Sequence, residues 1–266
     1  MASKLVSLIR TPSALKVPAR IAAAFWLLKL LTTALGESTS DYLVHTVNPY
    51  LAVLAGMVVF VVAMVLQLRT DHYVPWVYWF AVAMVAVFGT MAADALHVAG
   101  HVPYVASSVL FATALVVVFW SWSRHEPTLS IHSITTVRRE LFYWAAVLAT
   151  FAMGTALGDL AAYSLGLGFL IAGILFAILF VLPGVGFYAV RINGILAFWA
   201  AYVMTRPLGA SFADWTGKTR NGALGWGDGP VAAVLVVLIA VGVAYLTMSG
   251  DAANPAIEPV LADEPA

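Results

Sequence analysis

A short frame of residues recurs four times along this chain: a Trp preceded by an aromatic residue, a Gly ten residues after the Trp, and an Asp five residues after the Gly. Its copies are Trp26, Gly36 and Asp41; Trp79, Gly89 and Asp94; Trp144, Gly154 and Asp159; and Trp199, Gly209 and Asp214. Ungapped agreement of this kind does not arise by chance. The fold is therefore expected to contain four similar units in tandem.

The composition indicates the environment of these units. The chain is 62% hydrophobic and only 10% charged, with a mean hydropathy of +0.95, whereas soluble domains carry roughly 25% charged residues. A multispanning membrane protein is the class that fits. The formal net charge is zero, so no global field favours nucleic acid. The absence of Cys excludes disulfides, thiolate metal sites and Cys nucleophiles.

A helix needs about 20 mostly apolar residues to cross a bilayer. The segments that qualify are 20–42, 49–69, 74–97, 103–123, 140–162, 164–182, 191–214 and 230–249. They form pairs in which the first helix carries the frame and the second is apolar; we call the first the frame helix and the second the flanking helix. Pro183 and Gly184 are expected to end the third flanking helix. The sequence predicts an all-α integral membrane protein with eight transmembrane helices, arranged as four tandem parallel two-helix repeats.

The distribution of Lys and Arg predicts the orientation. One side receives Lys4, Arg10, Lys16, Arg20, Arg69, Arg124, Arg138, Arg139 and Arg191, and the other receives only Lys218 and Arg220. Because cytoplasmic loops carry the excess of basic residues, both termini are expected in the cytoplasm. The frame helices then run outward, and their Asp residues lie near the outer surface.

The same spans divide the chain into segments. A cytoplasmic N-terminal arm is expected at 1–19, followed by repeat 1 at 20–72, repeat 2 at 73–123, a cytoplasmic loop at 124–139, repeat 3 at 140–190, repeat 4 at 191–249 and a disordered cytoplasmic tail at 250–266. Together the repeats form one membrane domain. The basic start lacks the pattern of a cleaved signal peptide. The external Gly-rich stretch 215–229 is expected to form turns, with a lid or gate as the alternative.

Helical periodicity places the polar residues of each frame helix on one stripe. At about 100° per residue, positions 3, 7, 10, 11 and 15 after the Trp lie close to one face. Across the repeats this stripe holds Lys29, Thr33, Gly36, Glu37 and Asp41; Gly89, Thr90 and Asp94, with His97 a turn later; Gly154, Thr155 and Asp159; and Tyr202, Arg206, Gly209 and Asp214. Thr32, Thr150 and Thr205 lie on its flank.

The stripe is expected to face the protein interior, because a charge in lipid at mid-depth costs at least about 2.5–3.5 kcal/mol. The frame helices would then surround a pseudo-fourfold centre, with the flanking helices facing lipid. We expect the Trp residues to act as interfacial anchors and the Gly residues to allow close helix packing, both as a structural frame. Between the first and fourth repeats we predict a Glu37–Arg206 ion pair.

Several segments carry a resemblance to a known family. They are FWLLKLLTTALGESTSDYL, SIHSITTVRRELFYW, ATFAMGTALGDLAA and FWAAYVMTRPLGASFADWTGK. The chain resembles, over about Val17 to Met248, the bacterial inner-membrane family built from a four-fold repeat of unknown function, in which each repeat has two spans and a Trp. The resemblance implies eight spans and a bacterial inner-membrane location, but no activity.

The polar residues of the frame helices favour a transporter of a small ion, most specifically an exporter of a divalent cation such as Mn²⁺. The predicted metal ligands are Glu37, Asp41, Asp94, Asp159, Asp214 and His97. They are oxygen-rich and free of thiolates, as hard cations prefer. The ion pathway would also include Lys29, Thr32, Thr33, Thr90, Thr150, Thr155, Thr205 and Arg206. A divalent metal ion enters as substrate, and no cofactor motif is recognisable.

Other functions stay open. In a proton-coupled transporter of a small organic or anionic solute, Lys29 and Arg206 would bind the anion and Glu37 would exchange the proton. A non-transporting sensor or scaffold could hold a chromophore or lipid between the frame helices. An enzyme is not expected, because no H-E-x-x-H, Ser/Lys pair or phosphate-binding loop stands out, and no catalytic residue is predicted. The expected partners are the lipid bilayer and the ion or solute, without nucleic acid; a homo-oligomer is left open.

Overall fold

The computed structural model describes residues 14–98 and 100–249, of Val98 only the backbone. Within this part of the chain the structure is all-α. The helices are α1 (Ala23–Thr46), α2 (Pro49–Arg69), α3 (Pro75–Val98), α4 (Tyr104–His125), α5 (Val137–Asp159), α6 (Gly168–Val190), α7 (Gly194–Gly217) and α8 (Asp228–Met248). A 3₁₀ turn at Ile131–Ser133 precedes α5, and a π-helical turn at Leu160–Ser164 follows it. The eight helices match the eight predicted segments in order.

Six of these helices are long and apolar enough to cross a membrane, namely α2, α3, α4, α5, α6 and α8. The chain is accordingly a multi-pass membrane protein. The frame helices α1 and α7 do not reach the same hydropathy. The physical reason is their polar stripe, since α1 contains Lys29, Glu37 and Asp41 and α7 contains Arg206 and Asp214.

The four frame helices contact one another in a closed cycle: α1 packs on α3, α3 on α5, α5 on α7, and α7 on α1. Each flanking helix packs mainly on the frame helix of the next repeat, so that α2 lies on α3, α4 on α5, α6 on α7, and α8 on α1. A repeat therefore does not form a unit on its own. Its flanking helix covers the following repeat, and the last one closes on the first.

The frame glycines are the points where neighbouring frame helices approach most closely. A Cβ at Gly36 would lie 2.5 Å from Ala86 Cβ, one at Gly89 2.8 Å from Phe151 Cβ, one at Gly154 2.6 Å from Arg206 Cβ, and one at Gly209 2.7 Å from Thr33 Cβ. Each Gly thus faces the residue seven positions after the Trp in the next repeat of the cycle. The same two positions of the frame therefore meet at all four contacts between neighbouring frame helices. No side chain larger than hydrogen fits there without displacement.

Aromatic residues repeat the same cyclic pattern near the start of the frame helices, which we call the aromatic end. The residue before each Trp contacts the Trp of the next repeat: Phe25–Trp79, Tyr78–Trp144, Tyr143–Trp199 and Phe198–Trp26, with centroids 5.7, 5.7, 6.0 and 5.7 Å apart. Trp79, Trp144 and Trp199 are buried. The expectation of interfacial anchors is therefore wrong for these residues, because the ring of frame helices encloses them. Trp26, the remaining frame Trp, is partly exposed.

The flanking helices present apolar side chains outward. Only 17–22% of their most apolar stretches is buried, compared with 61% for α3 and 67% for α5. Their exposed residues are large and aliphatic, for example Val58, Val116, Ile178 and Val237. Such surfaces fit lipid rather than water.

Helix α6 departs from its predicted end. It passes through Pro183 and continues to Val190, where Arg191 adopts a left-handed conformation with φ of 55° and donates its backbone N–H to Gly186. The prediction that Pro183 and Gly184 end this helix is therefore wrong. Pro is tolerated inside helices of membrane proteins, where neighbouring groups and local adjustments satisfy the freed carbonyl, and the apolar residues after Gly184 prolong the helix.

The segment before α1 is packed against the aromatic end. Leu15 and Val17 are buried, the Lys16 N–H donates to Ile134 O (3.0 Å), and the Tyr73 N–H donates to Leu15 O (2.8 Å). Ile134 belongs to the loop between the halves of the chain and is itself buried. The last residues of the predicted arm are thus part of the fold. The rest of the arm at 1–13 and the predicted tail at 250–266 lie outside the described residues.

Candidate functional site

Arg206 is the centre of a buried polar cluster inside the ring of frame helices. Its side chain is fully buried, and Nη2 donates to Glu37 Oε2 at 2.6 Å. Nη1 donates to the backbone oxygen of Thr33 at 3.1 Å. The predicted ion pair between the first and fourth repeats is present.

The second and third repeats complete this cluster. Arg206 Nη2 also donates to Thr155 Oγ1 at 2.7 Å and, in a very short contact, to Thr90 Oγ1. Glu37, Thr90 and Thr155 occupy the same position of the frame, eleven residues after the Trp. All four repeats therefore meet at one guanidinium. We call Arg206, Glu37, Thr33, Thr90 and Thr155 the arginine cluster.

Lys29 lies deeper toward the aromatic end and has a different environment. It is 1% exposed, and its amine makes no hydrogen bond to the described part of the chain. Nζ lies 4.0 Å from the centroid of the Phe151 ring and 4.2 Å from that of Tyr202. The amine thus packs against the faces of two aromatic rings.

The threonines on the flank of the stripe are buried but do not join the arginine cluster. Thr32 Oγ1 donates to Lys29 O at 2.9 Å, and Thr205 Oγ1 donates to Tyr202 O at 2.6 Å. Thr150 Oγ1 has no hydrogen-bond partner among the described residues. The hydroxyls of Thr32 and Thr205 are bonded to their own helices, so their role on an ion pathway stays a prediction.

Three of the predicted metal ligands converge near the ends of α1 and α7, which we call the carboxylate end. Three carboxylate oxygens, one from each of Glu37, Asp41 and Asp214, lie within 4.8 Å of one another. Asp214 is 6% exposed, and its Oδ1 accepts no hydrogen bond from the described chain. These three residues form the carboxylate cluster. It adjoins the arginine cluster because Glu37 belongs to both.

Asp94, Asp159 and His97 are not in this group. Asp94 and Asp159 are half-buried on α3 and at the end of α5. His97 is engaged elsewhere, since Nδ1 lies 2.6 Å from Val102 O and the ring stacks on Tyr104 with centroids 3.6 Å apart. Their assignment as metal ligands stays a prediction.

Lys218, in the Gly-rich stretch that was expected to form turns, lies against the carboxylate cluster. Lys218 Nζ forms a very short ion pair with Asp41 and lies 3.8 Å from Asp214 Oδ1 and 3.9 Å from Asp228 Oδ2. Burial alone would lower the pKa of Lys218, but the carboxylates of Asp214 and Asp41 outweigh it and raise the pKa above its usual range. The amine is therefore charged at neutral pH.

The aromatic end contains a second buried ion pair that sequence reasoning missed. Glu140 is fully buried; it pairs closely with Lys16 and accepts hydrogen bonds from Gln67 Nε2 (2.8 Å) and Trp144 Nε1 (3.4 Å). A signal existed in the sequence, because Glu140 lies four residues before the frame Trp144 and no other repeat has an acidic residue there. The pair joins the segment before α1 to α2 and α5.

Glu126, which directly follows α4, forms two ion pairs with arginines at the start of α5. Glu126 accepts from Arg139 Nε at 2.7 Å and from Arg138 Nε at 2.6 Å. The hydrogen bonds from Arg139 and Arg138 lower the pKa of Glu126 despite its burial. The predicted linker 124–139 is thus held against the helices.

Comparison with known proteins identifies the repeat. No curated protein and no solved structure is significantly similar to the chain. A family model described as "Repeat of Unknown Function (DUF347)" matches residues 24–73, 77–128, 142–193 and 197–251. Each match begins one residue before the aromatic residue that precedes the Trp, and it covers most of one frame helix and one flanking helix. Because these matches cover most of the 266 residues, the chain belongs to the DUF347 repeat family.

Proposed function

We propose that this membrane protein transports a small ion, and that its substrate is a divalent cation of the Mn²⁺ type, which it exports. The observation that carries the proposal is the carboxylate cluster, in which three carboxylates lie within 4.8 Å and Asp214 Oδ1 is buried without a hydrogen-bond donor. Carboxylate oxygens suit hard cations such as Mn²⁺ and Mg²⁺. No thiolate is present to favour softer metals.

The proposal includes the arrangement in the membrane. All eight helices cross the bilayer with pseudo-fourfold symmetry, and α1 and α7 do so with their charged residues turned toward the ring interior. The cyclic Gly contacts and the cyclic Trp contacts support this arrangement. The excess of Lys and Arg supports cytoplasmic termini, with the carboxylate end at the outer surface of a bacterial inner membrane. The protein then acts as a transporter and not as an enzyme.

The arginine cluster lies directly inward of the carboxylate cluster on this pathway. A cation leaving the carboxylates inward would meet the positive charge of Arg206 and then the buried amine of Lys29. The guanidinium is held by Glu37, so a cation that draws Glu37 away must change the contacts of Arg206. Glu37 is the residue through which ion binding and the closed centre of the ring are coupled.

Metal binding by the purified protein tests the proposal. Mn²⁺ at 100 times its dissociation constant stabilises a protein by about 2.7 kcal/mol, which raises the melting temperature. We expect this rise in the wild type and its loss in Asp214→Asn and Asp41→Asn. Asp71→Asn is the matched control, because Asp71 lies in a loop with its side chain 95% exposed. If none of Mn²⁺, Mg²⁺, Fe²⁺, Co²⁺, Ni²⁺ and Zn²⁺ shifts the wild-type melting temperature, the metal proposal is wrong.

Lys29 supports a second candidate, a proton-coupled transporter of a small organic or anionic solute. The Lys29 amine is buried and donates no hydrogen bond to the described residues, so in this candidate its donors are available for an anionic solute. Arg206 would be the second cation and Glu37 the proton carrier. Uptake of small carboxylates into proteoliposomes, abolished in Lys29→Met and driven by a pH gradient, would favour this candidate over metal export.

A further inference from the structure

Lys218 is placed where a bound cation would compete with it. It follows α7 directly, and its amine is surrounded by the carboxylates of Asp41, Asp214 and Asp228. Two of these, Asp41 and Asp214, belong to the carboxylate cluster. The ammonium group therefore already neutralises the residues that a metal ion would use.

The backbone around Lys218 is fixed on both sides. The loop 218–227 folds back on the end of α7, with hydrogen bonds from Leu224 N to Trp215 O (2.7 Å), Trp226 N to Thr216 O (3.0 Å) and Gly227 N to Gly217 O (3.0 Å). Asn221, Gly222, Gly225 and Gly227 adopt positive φ, which makes the loop compact. The loop thus holds the amine over the cluster as a tethered group.

The far side of the loop has its own anchor. Arg220 Nη2 donates to Tyr163 Oη at 2.9 Å, and its guanidinium lies 5.1 Å from the centroid of that ring. Tyr163 belongs to the π-helical turn after α5. The loop therefore bridges the ends of α5 and α7, with one basic residue on an aromatic ring and the other on the carboxylates.

We propose that Lys218 is a built-in counter-cation that closes the carboxylate end, and that a divalent cation binds there only by displacing its amine. This inference rests on the proposed function and assigns a regulatory residue to the same site. The ammonium group is bonded to Asp41 and lies 3.8 Å from Asp214 Oδ1, so its positive charge opposes a divalent cation bound to the same carboxylates. Without a metal, Lys218 neutralises the cluster; with a metal bound, the amine and the loop that carries it must move away.

One independent feature supports a site rather than a simple acidic patch. Asp214 is more than nine-tenths buried, and its Oδ1 accepts no hydrogen bond among the described residues, although it is 3.8 Å from the amine. Lys218 thus compensates the charge of Asp214 without filling its coordination. A metal ion with several ligand positions would use this oxygen, whereas the amine is already bonded to Asp41.

The experiment measures Mn²⁺ affinity by calorimetry for the full-length protein, with Mg²⁺ as a second probe. Lys218→Gln removes the competing charge and should bind Mn²⁺ at least tenfold more tightly than the wild type. Lys218→Arg keeps the charge and should bind like the wild type or more weakly. Arg220→Gln is the matched control in the same loop and should leave the affinity unchanged, because Arg220 contacts Tyr163 instead of the cluster.

The outcomes separate this inference from the proposed function. If the wild type binds Mn²⁺ and Lys218→Gln binds it with equal or lower affinity while still folded by thermal unfolding, the role of Lys218 is overturned and the metal site stands. If the wild type binds Mn²⁺ and Lys218→Gln binds it at least tenfold more tightly, the inference is supported. If neither the wild type nor either Lys218 variant binds a divalent cation, the proposed function fails, and the inference fails with it.

Discussion

At the aromatic end of the ring each repeat supplies an aromatic residue and a Trp, and the four contacts between neighbouring repeats have centroid distances of 5.7 to 6.0 Å. At the carboxylate end each repeat supplies an Asp, but only Asp41 and Asp214 lie in the cluster with Glu37. Apolar rings can pack in the same way at all four contacts between neighbouring repeats. Four like charges cannot, because each needs a counter-charge, a proton or water.

In the arginine cluster, equivalent positions of the four repeats carry different side chains. The position that bears Arg206 is occupied by Thr33, Ala86 and Phe151 in the other repeats. One guanidinium therefore serves Glu37, Thr90 and Thr155 at once. The repeated backbone provides four equivalent positions, but the side chains at these positions differ, which makes the positions chemically unequal. We infer that the chemistry of this protein resides in the unequal positions.

The largest expected effect comes from removing this central charge. Arg206→Met leaves the buried Glu37 carboxylate without its partner and should lower the free energy of unfolding by about 3–5 kcal/mol. Thermal unfolding in detergent measures it. Arg124→Met is the control, since Arg124 is exposed at the end of α4. The double variant Glu37→Gln/Arg206→Met should lose less than the sum of the single changes; additive losses would contradict the coupling.

A smaller loss of stability is expected from substituting a frame Gly, which all four repeats share. A Cβ at Gly36 would lie 2.5 Å from Ala86 Cβ and 2.8 Å from the Ala86 carbonyl carbon, so Gly36→Ala should cost about 1–3 kcal/mol of stability. Gly184 in α6 has nothing within 4 Å of such a Cβ. Gly184→Ala should therefore leave the melting temperature unchanged or raise it slightly. Equal losses for both variants would show that the close approach of the frame helices is not what requires Gly.

The smallest effect concerns the ion pairs of the loop at the aromatic end. Arg139 and Arg138 lower the pKa of Glu126 in the folded protein. Their ion pairs with Glu126 therefore stabilise the fold fully at a pH above the pKa of Glu in the unfolded chain. This contribution is lost as the pH falls through the pKa of Glu126 in the folded protein. Arg139→Gln should be less stable than the wild type by about 0.5–1 kcal/mol at pH 6, and the difference should shrink at pH 3. Melting curves at both pH values measure it.

The same variant sharpens the contrast between the two ends. Mn²⁺ should not alter the effect of Arg139→Gln, because Glu126 lies in the loop at the aromatic end and outside the carboxylate cluster. A stability difference that depended on Mn²⁺ would mean that the two ends are coupled through the ring.

Much of the fold follows from local properties of the sequence. Apolar segments of membrane-spanning length gave the order of the helices, and the period of the frame placed Glu37 and Arg206 on faces that meet. The predicted end of α6 was wrong because a helix of a membrane protein can contain Pro in its interior, where neighbouring groups and local adjustments satisfy the freed carbonyl. Glu140 and Lys218 were missed because their partners, Lys16 and Asp41, are more than 100 residues away in the chain.

The sequence by itself determined that this is a membrane protein of four repeats, since hydropathy and the spacing of Trp, Gly and Asp are properties of single helices. Only the tertiary structure decided which copies of the frame meet. Ring closure brings α7 against α1, and with it Arg206 against Glu37 and Lys218 against Asp41. Helical periodicity fixes the face on which a charge lies, but the neighbour it pairs with depends on how the helices pack around the centre.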